Sequence, residues 1–172
     1  MGCGKSSVGR RLSKLLCWRF TDLDDAIVKK AGRSIPEIFA TDGEAEFRRI
    51  EKDILNNIID SYGKTQNKIS EMNADVILAL GGGAVMQEEC ERMVHEGTLC
   101  IYLKASVDTL LSHLERQSAG RPLLNTESSL RERILELMSL RAATYERTAH
   151  HIIETDGKSI EEIAEEIIEI LP

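Results

Sequence analysis

The 172-residue sequence has no apolar run near the roughly 20 residues that a membrane-spanning helix requires. Nor does an apolar stretch long enough for a signal peptide follow Lys5, Arg10 and Arg11, so a cytoplasmic location is expected, with no membrane partner. Cys3, Cys17, Cys90 and Cys100 form no C-x-x-C pair and have no metal-ligand spacing, which fits reduced thiols better than a disulfide or zinc framework. There is no excess of basic residues. A net charge of -7 argues against a general nucleic-acid surface and leaves any anionic ligand to particular arginines. Internal repeats and low-complexity tracts are missing too. The most telling absence is the front of a motif. In "MGCGKSSVGRRLSKLL", Gly4-Lys5-Ser6 supply the end of the phosphate-loop pattern G-x-x-x-x-G-K-[ST], but its first glycine would fall before residue 1. So would the strand that delivers a chain into such a loop.

What is present reads as one domain with an ordinary core, 42% hydrophobic and 30% charged. Val8, Leu12, Leu15 and Leu16 recur at helical spacing, so the loop runs into an amphipathic helix. "CWRFTDLDD" reads as a short strand ending in acids, Asp25 to Lys30 turns helical, and Gly32 and Pro36 break the pattern. A longer helix is expected from about Gly43 to Ile59, with Phe47, Ile50, Ile54, Leu55 and Ile58 as its apolar stripe. The polar segment from Asp60 to Asp75 reads as a surface excursion. "VILAL" and "TLCIYL" have the continuous apolar character of parallel strands, and "HHIIE" gives a last short one. Helices are expected over "SVDTLLSHLERQ", "LRERILELMSLRAATYERTA" and "SIEEIAEEIIEIL", the last with Ser159 as N-cap and Glu162 three residues on. Alternating strands and helices predict an α/β fold, a parallel sheet with helices on both faces.

The chemistry clusters at a few places. Gly2, Cys3, Gly4, Lys5, Ser6 and Ser7 precede or open a helix, where backbone N–H groups and the helix dipole favour a bound phosphate. Lys5 adds a point charge, and Ser6 can place its hydroxyl on Mg²⁺. Asp22 and Asp24, two apart at a strand's carboxyl end, share one side at the rim where such sheets bind ligands. One can act as base and the other organise a metal; equally, "DLDD" reads as a solvated helix start. Arg48 and Glu51 lie one helical turn apart, and an ion pair there would present a guanidinium suited to a carboxylate. Gly81, Gly82 and Gly83 follow a buried strand, and three glycines in succession let something approach the backbone. Arg121, between two helices, suits a lid that closes over phosphates, and Arg141 offers a second carboxylate-reading fork. His150 and His151, adjacent before a strand, face opposite sides and read as structural.

Taken together, GxGKS, "TDLDD", "FRRIE", "LGGGAV", "GRPLL", "RAATYE" and "TDGKSIEEIAEEI" resemble the shikimate kinase family in order and spacing over nearly the whole chain. The resemblance implies a three-layer P-loop kinase domain over 1–172, with a substrate-binding subregion about 24–59 and a lid about 112–127. It implies transfer of the γ-phosphoryl of Mg-ATP to the 3-hydroxyl of shikimate by a monomer. By the same resemblance, Lys5 and the loop backbone hold ATP, Ser6 ligates Mg²⁺, and Asp22 acts on the metal's water shell. Asp24 orients or deprotonates the hydroxyl, Arg48 and Arg141 grip the substrate carboxylate with Gly81–Gly83 beside them, and Arg121 comes from the lid. The rival readings are a gluconate- or nucleotide-type P-loop kinase and a non-catalytic nucleotide-binding module. In the family, the strand before the loop is central and flanked by the strands that here read "VILAL" and "TLCIYL". Those two are therefore expected to face a gap, and the natural protein is expected to begin about ten residues earlier.

Overall fold

The first helix, α1 (Lys5–Leu16), begins at Gly4, which sits in the left-handed region at φ 81° and carries no side-chain cap. A computed structural model of the chain describes residues 2–63, 76–118 and 127–172. Within α1, Gly9 is a close-approach position. A Cβ there would lie 2.5 Å from the Phe20 ring, so the missing side chain lets the helix settle onto the strand below it. That closeness offsets the roughly 1 kcal/mol that glycine costs inside a helix.

Strand β1 (Arg19–Asp22) leads into α2 (Leu23–Ala31), which Asp22 caps by accepting the Asp24 N–H at 3.0 Å and which Gly32 ends at φ 66°. Beyond it, where Gly32 and Pro36 suggest only a break, lies a further helix, α3 (Ile35–Thr41). Ser34 and Glu37 form a capping box there, and Pro36 sits in the first turn, where its missing N–H costs nothing. Helix α4 (Gly43–Gly63) runs past the expected end at Ile59 into the polar segment, of which 64–75 lies outside the described residues. After β2 (Val76–Ala79) come a 3₁₀ turn at Ala84–Met86, α5 (Glu88–Gly97), β3 (Ile101–Lys104) and α6 (Val107–Ser118). Helix α7 (Glu127–Thr148), β4 (His151–Glu154) and α8 (Ile160–Glu169) complete the order. The expected capping box of Ser159 and Glu162 opens α8.

The buried side chains form three clusters. One, with Leu23, Ile27, Ile38, Phe47, Leu55 and Val94, joins α2–α5. A second, with Val8, Leu12, Leu103, Ile153, Ile163 and Ile167, joins α1 and α8 to the strands. The third, with Ala105, Leu110 and Ile134, joins α6 to α7. Ile77 packs into the second cluster and Leu78 into the first, so successive β2 residues face opposite helical layers.

The strands are parallel, as the sequence pattern predicts, but they do not make one sheet. Among the described residues β1 pairs only with β2, in register Arg19↔Val76, and β3 only with β4, in register Ile101↔His151. Across the interval between β2 and β3 there is a cleft, lined by residues of both strands. His150 stacks on His95 with ring centroids 4.6 Å apart and its Nδ1 accepts the Cys100 N–H, a structural use of that histidine.

Candidate active site

Two left-handed glycines, Gly2 at φ 73° and Gly4 at φ 81°, shape the turn into α1. At Gly4 a Cβ would meet nothing within 4 Å, so conformation and not space requires glycine there. With no side chain capping α1, the N–H groups of its first turn are offered to a ligand at the positive end of the helix dipole. The Cys3 side chain packs into the core, which leaves its backbone to the loop, and the Lys5 ammonium lies 3.7 Å from Cys3 Sγ. Ser7 is exposed. The Gly2 carbonyl lies 2.7 Å from His113 Nδ1, a contact from α6 that sequence reasoning missed; no spacing rule links residues so far apart.

The loop meets the first pair of acids directly. Ser6 Oγ donates to Asp22 Oδ2 at 2.6 Å, while Asp22 Oδ1 caps α2. One carboxylate thus ties the start of α1 to the start of α2, which answers the two readings of "DLDD": it is a helix cap and part of the loop's surroundings at once. Asp24, half-buried on the first turn of α2, has its pKa raised, first by burial and then by the Asp22 charge, with Lys5 and Arg48 pulling the other way.

Helix α4 supplies the positive side. Arg48 Nη1 donates to Glu51 Oε2 at 2.5 Å, and its guanidinium lies 3.4 Å from Glu44. The Glu51 side chain is 1% exposed, although it shares a helix face with Leu55 and Phe47. Burial raises its pKa most, Arg48 opposes that, and Asp24 adds to it.

The three glycines are explained by what presses on them. A Cβ at Gly81 would lie 2.8 Å from Asp24 Oδ1, and one at Gly83 would lie 2.6 Å from Arg48 Nη2. The sequence pattern alone suggests a ligand at this backbone. The close neighbours are the site's own acid and arginine, brought in from α2 and α4. Arg141 Nη1, on α7, donates to the Gly82 carbonyl at 3.1 Å, and the Tyr145 hydroxyl donates to the same oxygen at 2.5 Å. Sequence reasoning missed Tyr145, yet its signal lies in "RAATYE": it is one turn beyond Arg141, on the same face of α7.

Asp24, Arg48, Arg141, Glu51 and the glycines therefore converge from four elements, with Lys5, Ser6 and Asp22 alongside. Arg121 falls outside the described residues. Ser6 and Asp22 offer hard oxygens suited to Mg²⁺, which takes few protein ligands and keeps its waters. The described residues contain no cluster of three or more acidic, cysteine or histidine side chains that would hold a metal by themselves.

The whole chain, residues 1–172, matches the family model described as shikimate kinase. A shikimate kinase of Thermus thermophilus is 40% identical over 171 residues, covering 99% of this chain and 85% of that protein. One from Dictyoglomus turgidum is 39% identical over 173 residues, covering 99% and 92%. Among solved structures, a shikimate kinase from Acinetobacter baumannii in complex with shikimate superposes with a TM-score of 0.81 at 32% identity, covering 99% of this chain and 87% of that one. The shikimate kinase of Aquifex aeolicus gives a TM-score of 0.74 at 27% identity, covering 98% and 89%. With a phosphate loop, an acid and two arginines gathered at one triple-glycine turn, and these likenesses along its full length, the chain belongs to the shikimate kinase family.

Proposed function

We propose that this protein transfers the γ-phosphoryl group of ATP to the 3-hydroxyl of shikimate, giving shikimate 3-phosphate and ADP. The observation that carries the reading is the placement of Asp24 between a phosphate loop and two arginines that meet one glycine turn. An anionic cyclic polyol needs that combination: guanidinium forks for its carboxylate and a base for its hydroxyl.

The uncapped start of α1 and Lys5 hold the outer phosphates, where backbone N–H groups and one ammonium offset the charge that spreads over the transferring oxygens. Ser6 and Asp22 would hold Mg²⁺, which when bound would neutralise charge developing on the phosphates. Arg48 and Arg141 take the substrate carboxylate, and the pair with Glu51 keeps Arg48 from swinging into solvent. So anchored, the ring presents its hydroxyl to Asp24. Burial makes Asp24 a stronger base than an exposed aspartate, and it accepts the hydroxyl proton as the oxygen attacks phosphorus. By the family resemblance, Arg121 stabilises the developing charge. The subregion 24–59 binds the acceptor, and the protein acts as a monomer in the cytoplasm.

Coupled measurement of ADP release from Mg-ATP, with and without shikimate, tests the reading. ADP release that depends on shikimate is expected. Release that depends instead on gluconate or a nucleoside monophosphate would assign a different acceptor, and ADP binding without turnover on any acceptor would leave a nucleotide-binding module.

A further inference from the structure

The triple-glycine turn contains one peptide that its own chain does not hold. The Gly81 carbonyl accepts the Ala84 N–H at 3.1 Å and the Gly83 carbonyl accepts the Met86 N–H at 3.1 Å, so the 3₁₀ turn fixes the first and the third. The Gly82 carbonyl, between them, takes its donors from α7: the Tyr145 hydroxyl and Arg141 Nη1. Glycine on both sides makes that peptide easy to turn over, because no side chain restrains ψ of Gly82 or φ of Gly83. A trans peptide points its C=O and N–H in opposite directions, and no cis bond occurs among the described residues. With the Gly82 carbonyl held toward α7, the Gly83 N–H points away from α7. Among the described residues no acceptor takes it.

The two donors differ in what else they must do. Arg141 spends one N–H on Gly82 and has others left for a carboxylate. Tyr145 has a single O–H, and its place is fixed from several sides. Its ring packs against the first core cluster and lies tilted against Tyr102, with centroids 5.3 Å apart. The end of α7 beyond it is fastened to α5, where Arg147 pairs with Glu91 at 2.6 Å and His95 Nδ1 lies 3.1 Å from the Thr148 carbonyl. A carbonyl has two lone pairs, so both bonds to Gly82 coexist and neither donor displaces the other.

We propose that Tyr145 is a positioning residue for the acceptor: its hydroxyl locks the Gly82–Gly83 peptide so that the Gly83 N–H, beside Arg48, is kept as a backbone donor to the substrate carboxylate. The inference rests on shikimate as the acceptor. Gly83 is the glycine whose added Cβ would meet the Arg48 guanidinium, so a backbone N–H and a cationic fork stand together where an anion is expected. Turned over, the same peptide would give its carbonyl oxygen to the Arg48 side and meet the carboxylate with an acceptor. The bond also aligns Arg141, because the carbonyl it fixes is the one that Arg141 Nη1 contacts. Tyr145 therefore acts on acceptor binding, apart from the nucleotide loop and from the proton taken by Asp24.

The test compares the parent, Tyr145→Phe and a protein with 4-aminophenylalanine at the same position, whose N–H donor stands where the hydroxyl was. Tyr145→Phe should raise KM for shikimate about tenfold while kcat stays within about twofold of the parent, the pattern of lost binding without lost chemistry. KM for ATP should not move, and the amine should recover most of the loss. In the ligand-free protein the NMR resonance of the Gly82 carbonyl carbon should shift in Tyr145→Phe and return with the amine. An unchanged KM for shikimate, equal losses for shikimate and ATP, no recovery with the amine, or an unmoved Gly82 resonance would each overturn the proposal. Equal losses are what mere support of the fold would give. If the parent itself releases no ADP in response to shikimate, the acceptor reading fails, and the ligand-free Gly82 resonance then decides whether Tyr145 holds the peptide.

Discussion

Replacing Gly83 with alanine separates the acceptor site from the rest of the fold. The residue sits at φ -107°, an ordinary value for alanine, so the backbone itself is not strained. The added Cβ would lie 2.6 Å from Arg48 Nη2 and 2.7 Å from Nη1, and ordinary contact begins at 3.4 Å, so the guanidinium must retreat by about 0.8 Å. It is the far end of a flexible side chain, but Glu51 tethers it at 2.5 Å and limits where it can go. A shift of that size at a carboxylate-reading fork is expected to weaken shikimate binding about 10- to 100-fold, or roughly 1.4–2.8 kcal/mol. ADP affinity should be unchanged, and the melting temperature should move by no more than a few degrees, since no buried apolar group is lost. Isothermal titration with each ligand, beside a thermal melt, measures all three. Unchanged shikimate affinity, or equal losses for shikimate and ADP, would refute the claim that the third glycine exists to admit Arg48.

Exchange of Glu51 for glutamine keeps its volume and removes the charge that holds Arg48; weaker shikimate binding with unchanged ADP binding is expected in isothermal titration. Exchange of Asp24 for asparagine should lower turnover by roughly 10²- to 10⁴-fold in the coupled assay. Because the folded-state pKa of Asp24 is raised, its charge penalises the fold above that pKa and the penalty disappears as pH falls through it. The asparagine variant should therefore melt higher than the parent at neutral pH, with the advantage fading toward the ordinary aspartate pKa; an advantage that grows in acid would contradict the assignment. Replacing Tyr145 with phenylalanine removes one of two donors to the Gly82 carbonyl and should cost about 0.5–1.5 kcal/mol in a denaturant melt.

Much of the site was legible because its signals are local. Gly4-Lys5-Ser6 announce an anion-binding helix start through backbone conformation, and Asp22, Ser34 and Ser159 announce helix starts through hydrogen bonds that span two or three residues. Helix α3 was hidden by Pro36, which reads as a breaker in a bare pattern and as an opener once Ser34 is known to cap. The contacts of His113 with Gly2 and of Tyr145 with Gly82 join residues far apart in sequence, and no local code reports them.

The sequence by itself determined the order of the strands and of the helices other than α3, the phosphate loop, the paired acids and the arginines, since each follows from spacing along one element. Only the tertiary structure decided that Asp24 and Arg48 are what crowd Gly81 and Gly83 and that Glu51 is buried on an apolar stripe. The reason is physical: periodicity fixes which face of an element is apolar, whereas pKa shifts, close approaches and strand partners depend on the neighbours that other elements bring.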